Sequence, residues 1–562
     1  MYFCNKQFNT FCIMKKTNTH SSQIKLLIAF LFFNLIPMSA SQYYFHVAFT
    51  DKNNTPFTLS NPSSYLSSRA IARRTAFGIS CDSTDLPVNS TYIAAIENLG
   101  VHVHSASKWM NSVNVLVPDS SIMSQVRALQ FVKKVQYTGK ANATPPLVPR
   151  KKFPKATEVL NYGSAATQIN QVNGSYLHNL GFTGTGIHVG VLDAGFYNVN
   201  NNVGFDSMRI ENRLLGTKNI SGTADVYALH QHGANVLSIM TGNLPAQYLG
   251  SAPDASFWLI RTEVDPTEYL VETDFWVSGI EFADSVGIDV VNSSLGYTTF
   301  DDPTMNFTYA DMNGLVSRAS RAATLAAEKG IIVCNSAGNN GNPTDTWHYI
   351  GSPGDADRIL TVGSVTSTGI ASSFSSYGPA SDMREKPEIC AMGTSTAIIN
   401  TSGNVSYGNG TSYSSPVIAG MMACFLQYVK ANRTYYSIDN ILHSVISSGN
   451  SYGYYNPQTG YGIPNFQIAA ANLPTYDKLY GLKSDKVNVL VDNSNKILSL
   501  KLVDSLYLKG QIQIYNSTGQ QLLKNTIQNY ENIFDISNLH SGIYLVSVNK
   551  NGFSETHKII LR

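Results

Sequence analysis

Short apolar strands alternate with amphipathic helices between about residues 160 and 470. The strand-like runs are rich in valine and isoleucine and read GIHVGVLDAG, ASFWLIR, IDVVNSSLG, GIIVCNSAGN and RILTVGSV. Helical spacing of apolar residues marks the segments between them, such as HGANVLSIMTG, FWVSGIEFADSVG and SRAATLAAEKG. Strands that are apolar on both faces fit a parallel sheet covered by helices on each side. The pattern predicts an α/β domain of three layers with a mostly parallel sheet.

The regions on either side have different patterns. Residues 43–140 combine strand-like YYFHVAFT with helical SSYLSSRAIARRTAFG and further strand and helix signals, which predicts a small α+β unit. The stretch at 139–156 is rich in Pro and Lys without periodicity, so it is predicted to be an exposed linker suited to cleavage. The end of the chain holds short strands split by the turn signals NSTG and NKNG, which predicts a small all-β sandwich.

The N-terminus has the pattern of an export signal. Lys15, Lys16 and Lys25 precede an apolar run at 26–36, and small residues follow it. The run is shorter than the roughly 20 residues that a membrane-spanning helix needs. A cleaved signal is therefore favoured over the alternative, a permanent anchor, and no later segment has the length to span a bilayer.

The charge and the cysteines exclude several classes of function. The formal net charge is +2 and only 14% of the residues are charged, so neither nucleic acid nor a polybasic membrane contact is expected as a partner. Three of the six cysteines, Cys334, Cys390 and Cys424, lie in apolar sequence beyond the N-terminal unit. Three cannot all pair with one another, so buried free thiols are expected. No CxxC or His-Cys cluster indicates zinc or haem.

Three residues at the ends of predicted strands or the starts of predicted helices could carry chemistry. Asp193 ends HVGVLD, His232 opens HGANVLSIM, and Ser412 opens the helix of NGTSYSSPVIAGMM. Singly, each has a structural alternative as a cap, a helix-start residue or a turn former. Together they are the parts of an activated nucleophile, in which a carboxylate orients an imidazole that takes the serine proton. Their order along the chain is that of the subtilisin arrangement.

Residues 160–470 resemble the subtilase family of serine endopeptidases. VGVLDAGF, HGANVLSIMTG and GTSYSSPVIAG are similar to the family's three catalytic motifs, and GSAPDA, VVNSSLGY, NSAGN, SSFSSYGP and KPEICAMG appear between them in the family's order. Two positions depart from the usual pattern. Ala194 follows the aspartate where Ser or Thr is usual, and Ala234 follows His-Gly where Thr is usual. Both affect supporting hydrogen bonds rather than the three reactive residues.

The resemblance implies roles for further residues. Asn339 in NSAGN would donate its side-chain amide to the oxyanion together with the backbone N–H of Ser412. The segment Ser294, Leu295 and Gly296 would bind an extended peptide by strand addition, which predicts broad specificity. Ala337 and Gly338 would line a pocket that admits a large apolar side chain before the cut.

The flanking units also resemble known modules. Residues 43–140 are similar to subtilase pro-segments, which act as chaperone and temporary inhibitor, so autocatalytic cutting in or near the linker is expected. The C-terminal unit resembles the type A sorting domain of the type IX secretion system. It implies export across both membranes to the cell surface or beyond; a carbohydrate-binding or spacer module is the alternative.

The resulting organisation is a signal peptide (1–41), a pro-segment (42–148), a peptidase domain (149–472) and a sorting domain (480–562). The expected partners are protein substrates, the chain's own pro-segment and the secretion machinery, and the protein is expected to be a monomer. No cofactor is expected for the chemistry. A structural calcium ion would suit an oxygen-rich loop such as DDPTMNFTYADMNG, although a solvated insertion explains that loop equally well.

Two other functions are compatible with such a groove. A catalytically dead surface protein could use it only to bind peptides, but such a binder has no need of Asp193, His232, Ser412 and Asn339 together. An esterase or lipase would use the same three reactive groups, but the chain lacks the GxSxG elbow of those enzymes.

Overall fold

The structure is a computed structural model that describes most of the chain. It covers residues 42–141, 160–433, 436–473, 487–492, 496–502, 508–529, 531–550 and 553–561. The predicted export signal and nearly all of the predicted linker lie outside these ranges. Within them, no helix combines the length and apolar character that a membrane crossing requires.

The N-terminal unit is a four-stranded antiparallel sheet with helices. Its strands are β1 (Gln42–Phe49), β2 (His102–Ser107), β3 (Ser112–Val117) and β4 (Val132–Ala141), in the order β2–β3–β1–β4. Its helices are Ser68–Phe77, Ser90–Glu97 and Met123–Arg127. The predicted α+β unit is confirmed, but its last strand enters the stretch predicted as linker, because Lys140 still pairs with Tyr43 of β1.

The central region contains eleven strands in the residues that the structure describes. They are β5 (His188–Asp193), β6 (Leu214–Asn219), β7 (Asn243–Leu244), β8 (Tyr248–Leu249), β9 (Ser256–Arg261), β10 (Val290–Ser293), β11 (Ile332–Ser336), β12 (Leu360–Val365), β13 (Ile389–Met392), β14 (Thr396–Ile399) and β15 (Val405–Gly408). Seven of them form one parallel sheet in the order β13–β12–β11–β10–β5–β9–β6.

Helices cover both faces of this sheet. They are Ala166–Gln171, Ser175–Asn179, Asp206–Ile210, His232–Thr241, Val271–Val286, Arg318–Glu328, Thr411–Asn432, Ile438–Ile446 and Phe466–Asn472. Successive residues of β5 point to opposite faces, so Val191 packs in the core around the helix Thr411–Asn432 and Leu192 in the core around the helix Val271–Val286. The predicted three-layer α/β fold is confirmed.

The five strands expected from the sequence all belong to the parallel sheet, whereas its two edge strands were missed. The edge strand β6 is only half-buried and carries Thr217, Lys218 and Asn219, so it lacks the continuous apolar run of a central strand. The other edge, β13, lies within KPEICAMG and is only four residues long.

The C-terminal unit is a sandwich of two antiparallel sheets. Its strands are β16 (Val487–Asp492), β17 (Ile497–Leu502), β18 (Gln511–Asn516), β19 (Gln521–Thr526), β20 (Glu531–Asp535), β21 (Gly542–Lys550) and β22 (Phe553–Leu561). The sheet β16–β17–β20 and the sheet β19–β18–β21–β22 share one apolar core. This confirms the predicted all-β sandwich.

Candidate active site

The aspartate at the end of β5 contacts the histidine that begins the helix His232–Thr241. Nδ1 of His232 lies 2.9 Å from Oδ1 and 3.0 Å from Oδ2 of Asp193, whose side chain is fully buried. Asp193 also accepts a hydrogen bond of 2.8 Å from the backbone N–H of Ala194. The alanine that replaces the usual hydroxyl residue thus still supplies a donor to the carboxylate.

Two glycines allow this close contact between strand and helix. A Cβ at Gly233 would lie 2.5 Å from the carbonyl oxygen of Gly195 and 2.9 Å from the Cβ of Asp193. A Cβ at Gly195, where φ is +159°, would lie 2.3 Å from a carbonyl oxygen of the facing loop. A side chain at either position would clash with the backbone of Gly195 or of the facing loop, so the close approach of strand and helix depends on both glycines.

The environment of His232 favours its protonated form. Burial by itself lowers the pKa of the imidazole, but the charge of Asp193 and its hydrogen bond outweigh burial and raise the pKa above its usual value. Because Nδ1 faces Asp193, Nε2 is the nitrogen left to exchange a proton with another group.

Ser412 is the second residue of the helix Thr411–Asn432 and lies in its unpaired first turn. Gly410 precedes the helix at φ +149°, and Pro416 follows in the first turns. The hydroxyl of Ser412 contacts the carbonyl oxygen of Ser294 at 3.5 Å, and within the described residues it makes no hydrogen bond with His232. The neighbouring Tyr413 ring lies 6.1 Å from the imidazole, centroid to centroid.

The Tyr413 ring thus lies near the imidazole, while the Ser412 hydroxyl is turned toward the segment that follows β10. A rotation about the Cα–Cβ bond of Ser412 is the movement that would redirect it. Catalytic hydrogen bonds are often long or poorly aligned before substrate binds, so this orientation does not remove Ser412 from the site.

Asn339 is oriented by two hydrogen bonds to its side-chain oxygen. Its Oδ1 accepts hydrogen bonds from the backbone N–H of Thr411 at 2.8 Å and from the Thr411 hydroxyl at 3.0 Å. The Thr411 hydroxyl oxygen in turn accepts a bond of 3.1 Å from the backbone N–H of Gly338. Since the N–H of Thr411 can only donate, it fixes which end of the Asn339 amide is oxygen.

The predicted peptide-binding residues line one cavity with Ser412 and Asn339. The cavity has a volume of about 190 Å³. Its lining contains all five predicted residues together with several that were not predicted: Ser294, Leu295, Gly296, Ala337, Gly338, Thr298, Ser336, Asn340 and Gly351. Two of the lining residues lie close together, since a Cβ at Gly351 would lie 2.6 Å from a methyl group of Thr298.

A buried hydrogen-bond network ties the serine helix to β10, and the sequence reasoning missed it. The Ser415 hydroxyl donates to Oδ1 of Asn292 at 2.8 Å, and Nδ2 of Asn292 donates to the Ser294 hydroxyl at 3.1 Å. The Ser294 hydroxyl donates to the carbonyl oxygen of Ser412 at 3.0 Å. The network fixes the serine-bearing turn relative to the segment that would pair with a peptide. Only the small polar residues of GTSYSSP and VVNSSLG hinted at it.

The carboxylates of the loop DDPTMNFTYADMNG, for which calcium binding and a solvated insertion were both open, accept hydrogen bonds at separate places. Asp302 accepts from the N–H of Thr304, and Asp311 accepts from the N–H of Thr308, as local caps. Asp301 instead accepts, at 3.3 Å, from the backbone N–H of Glu268 outside the loop. The loop therefore lacks a shared oxygen cage.

Glu263, Glu268 and Glu272 form the acidic group that could hold a cation, as far as the described residues extend. One carboxylate oxygen from each lies within 4.8 Å of the others. Burial, followed by repulsion from neighbouring carboxylates, raises the pKa of Glu268 to about 8. Glu263 accepts from the Tyr297 hydroxyl at 2.6 Å, and Glu272 accepts from two backbone N–H groups. Two of the three carboxylates thus already accept hydrogen bonds from protein groups, so only part of their oxygens is left to bind a cation.

Comparisons with known proteins match three parts of the chain. A Bacteroidota peptidase S8 propeptide domain matches residues 44–155, the subtilase family matches 184–462, and a secretion system C-terminal sorting domain matches 492–562. These spans cover the N-terminal α+β unit, the parallel-sheet domain and the C-terminal sandwich.

Curated relatives come from the same family. Subtilisin NAT of Bacillus subtilis subsp. natto is 29% identical over 307 residues, which are 54% of this chain and 70% of that protein. Serine protease AprX of Bacillus subtilis (strain 168) is 28% identical over 279 residues, 44% of this chain and 58% of that protein.

Among solved structures, that of the prenylagaramide maturation protease PagA has a TM-score of 0.43 at 21% identity, covering 53% of this chain and 98% of that one. The chain belongs to the subtilase family of serine peptidases, with a peptidase S8 propeptide domain before the peptidase domain and a secretion system C-terminal sorting domain after it.

Proposed function

We propose that this protein is an exported serine endopeptidase in which Ser412 is the nucleophile, His232 the general base and Asp193 the orienting carboxylate. The contact between Nδ1 of His232 and the buried carboxylate of Asp193 is the observation that supports this most directly. It holds the imidazole in the tautomer whose Nε2 can accept a proton, and it stabilises the imidazolium that results.

In the first step, the Ser412 hydroxyl attacks the scissile carbonyl carbon while its proton passes to Nε2 of His232. The tetrahedral intermediate collapses when the imidazolium donates that proton to the leaving amine, which leaves an acyl-enzyme on Ser412. Water then attacks the ester, with His232 again accepting and returning the proton. No cofactor takes part in these steps.

The developing oxyanion would lie between the backbone N–H of Ser412 and Nδ2 of Asn339. The Ser412 N–H belongs to the first turn of a helix, so it has no helical acceptor, and the positive end of the helix dipole lies beside it. Asn339 is pre-oriented because Thr411 occupies its oxygen. A donor fixed before the reaction starts is the arrangement that stabilises such charge most effectively.

The substrate would bind as an extended strand along Ser294, Leu295 and Gly296. Backbone pairing reads no side-chain identity, so sequence tolerance would be broad. The side chain before the cut would enter the cavity beside Ala337 and Gly338. We propose a preference for an apolar side chain there, since the small lining residues leave space for one.

Export and maturation complete the proposal. The sorting domain supports passage through the type IX secretion machinery to the cell surface or beyond, after the predicted signal (1–41) has directed the first membrane crossing. The pro-segment (42–148) would inhibit the peptidase domain (149–472) as long as it stays bound, while residues 480–562 carry the sorting function. We propose that the mature enzyme is a monomer and that any calcium ion is structural.

A cleavage assay tests this function directly. Mature wild-type protein is incubated with an extended peptide library, and the products are identified by mass spectrometry. Cleavage that is abolished in Ser412→Ala supports the endopeptidase. Peptide binding without cleavage by folded wild-type protein would favour the alternative of a catalytically inactive peptide-binding protein.

A further inference from the structure

The N-terminal unit presents three cations to one fully buried carboxylate of the peptidase domain. Asp284 lies in the helix Val271–Val286 and has no exposed surface. Its oxygens accept from Arg73 Nη2 at 2.5 Å, from Arg74 Nη2 at 2.8 Å to each oxygen, and from Lys108 Nζ at 2.7 Å. All three cations belong to residues 42–141, the part of the pro-segment that the structure describes.

Glu281, one helical turn before Asp284, depends on the pro-segment in the same way. Its carboxylate accepts from the Ser107 hydroxyl at 2.5 Å and from the backbone N–H groups of Lys108 and Trp109 at 2.9 and 3.0 Å. Within the described residues, the side-chain hydrogen bonds of Glu281 and Asp284 all come from the pro-segment.

Two neighbouring interface carboxylates differ, because each also has a cation of the peptidase domain. Asp289 pairs with Lys430 at 2.8 Å as well as with Arg69 of the pro-segment. Asp274 pairs with Arg318 as well as lying 3.3 Å from Nδ1 of His46. Loss of the pro-segment would leave these two carboxylates paired with a cation of the peptidase domain. They therefore depend on a bound pro-segment less than Asp284 does.

The charges at Asp284 continue through the interface as an alternating series. Arg74 bridges Asp284 to Asp85 of the pro-segment at 2.8 Å, and Asp85 lies 3.3 Å from Nζ of Lys329 in the peptidase domain. Lys329 also pairs at 2.7 Å with Asp82 of the pro-segment. The series crosses the boundary between the units three times, and all its members except Asp82 are buried.

We propose that the ion pairs of Asp284 keep the severed pro-segment bound to the peptidase domain after the linker is cut. This rests on the proposed function, in which the pro-segment is a temporary inhibitor. Removing one member of a buried charge cluster leaves its partners desolvated and unpaired, which is far more costly than losing a surface ion pair. Cutting the linker changes none of these contacts, so release of the pro-segment requires the cluster itself to open.

Apolar contacts also hold the interface together and would persist in charge variants. The rings of Tyr44 and Phe275 meet edge to face with centroids 5.5 Å apart, and Phe77 meets Tyr436 at 4.9 Å. These contacts supply affinity, but they do not depend on Asp284. A charge substitution therefore isolates the contribution that the Asp284 ion pairs make to binding of the pro-segment.

The experiment uses the full chain with Ser412→Ala and a recognition sequence for a site-specific protease inserted between residues 142 and 159. Ser412→Ala removes any activity of the protein itself, so the result does not depend on the proposed catalysis. After the cut, size-exclusion chromatography and a dilution series measure retention and the dissociation constant of the pro-segment.

If the ion pairs of Asp284 hold the complex together, the severed wild-type pro-segment should co-elute with the peptidase domain. Asp284→Asn should weaken the pair by about 100-fold or more, since three cations lose their carboxylate. Arg74→Gln should weaken it by at least about 10-fold, with Lys108→Gln as a second pro-segment variant because it lies at the edge of the cluster. Lys134→Gln, at an exposed position of β4, is the matched control and should leave the constant unchanged.

Circular dichroism of the uncut chains shows whether each variant folds. If Asp284→Asn does not fold, the two pro-segment variants decide the outcome. The proposal is overturned if the cut wild-type pair separates at once, or if Arg74→Gln and Lys108→Gln bind as tightly as Lys134→Gln.

Discussion

The side-chain oxygen of Asn339 accepts two hydrogen bonds from Thr411, one from its backbone N–H and one from its hydroxyl. Thr411 immediately precedes Ser412, so one residue positions both predicted oxyanion donors. The backbone of Thr411 leads directly into the N–H of Ser412, and its two bonds to Oδ1 of Asn339 leave Nδ2 as the end of the amide that can donate.

Replacing Asn339 with leucine should lower kcat about 10²- to 10³-fold with little change in KM. The amide stabilises charge that develops only in the transition state, so its loss affects the chemical step more than substrate binding. Steady-state kinetics on a chromogenic peptide measure both constants. An unchanged kcat in a folded Asn339→Leu enzyme would show that this amide does not contact the oxyanion.

Thr411→Val should lower kcat about 10-fold because it removes one bond to Asn339 and the acceptor for the N–H of Gly338. Thr411→Ser keeps the hydroxyl and should retain nearly all activity. The same kinetic assay compares the two variants, and thermal melting checks that both fold. Activity that is retained in Thr411→Val but lost in Thr411→Ser would contradict this and assign the effect to packing of the methyl group.

Asp193→Asn should lower kcat about 10⁴-fold and move the acidic limb of the activity profile to lower pH. Activity requires neutral His232, so activity is lost as the pH falls through the pKa of the imidazole. Asp193 raises that pKa, and its removal must therefore lower it. Residual activity measured from pH 4 to pH 9 gives the midpoint of the acidic limb. A midpoint at higher pH in Asp193→Asn than in the wild type would contradict the conclusion that Asp193 raises the pKa of His232.

Glu268→Gln should raise Tm by about 2–4 °C at pH 9 and have little effect at pH 4. Burial and neighbouring carboxylates raise the pKa of Glu268 from 4.5 to about 8, so the wild-type protein loses stability as the pH rises through this range. Scanning calorimetry at both pH values tests this, with Glu328→Gln at an exposed position as the control. If added Ca²⁺ raised the wild-type Tm but not that of Glu268→Gln, the cluster would be a cation site instead.

The sequence predicted the elements that carry the site because each has a local pattern. Asp193 ends a run of valine and leucine, and His232 and Ser412 open apolar helices, so their neighbours alone indicate a position at a strand end or a helix start. The central strands were also predictable because they are apolar on both faces. The edge strand β6, with Lys218 on its solvent-exposed side, shows no such run.

Features that depend on distant residues meeting could not be predicted. Asn292 and Ser415 are 123 residues apart, and nothing local to either indicates their hydrogen bond. Glu263 and Glu272 read as ordinary polar positions around a turn and a helix start. The direction of the Ser412 hydroxyl is likewise set by rotation about one bond, which no sequence pattern specifies.

The most direct test of the central claim is covalent labelling of the mature protein with a fluorophosphonate, followed by peptide mapping. The account predicts a single modified residue, Ser412, in the wild-type protein, and labelling that is lost in Ser412→Ala and strongly slowed in His232→Ala. Modification of a different serine, or no modification of a protein that cleaves peptides, would contradict the claim that Ser412 is the nucleophile.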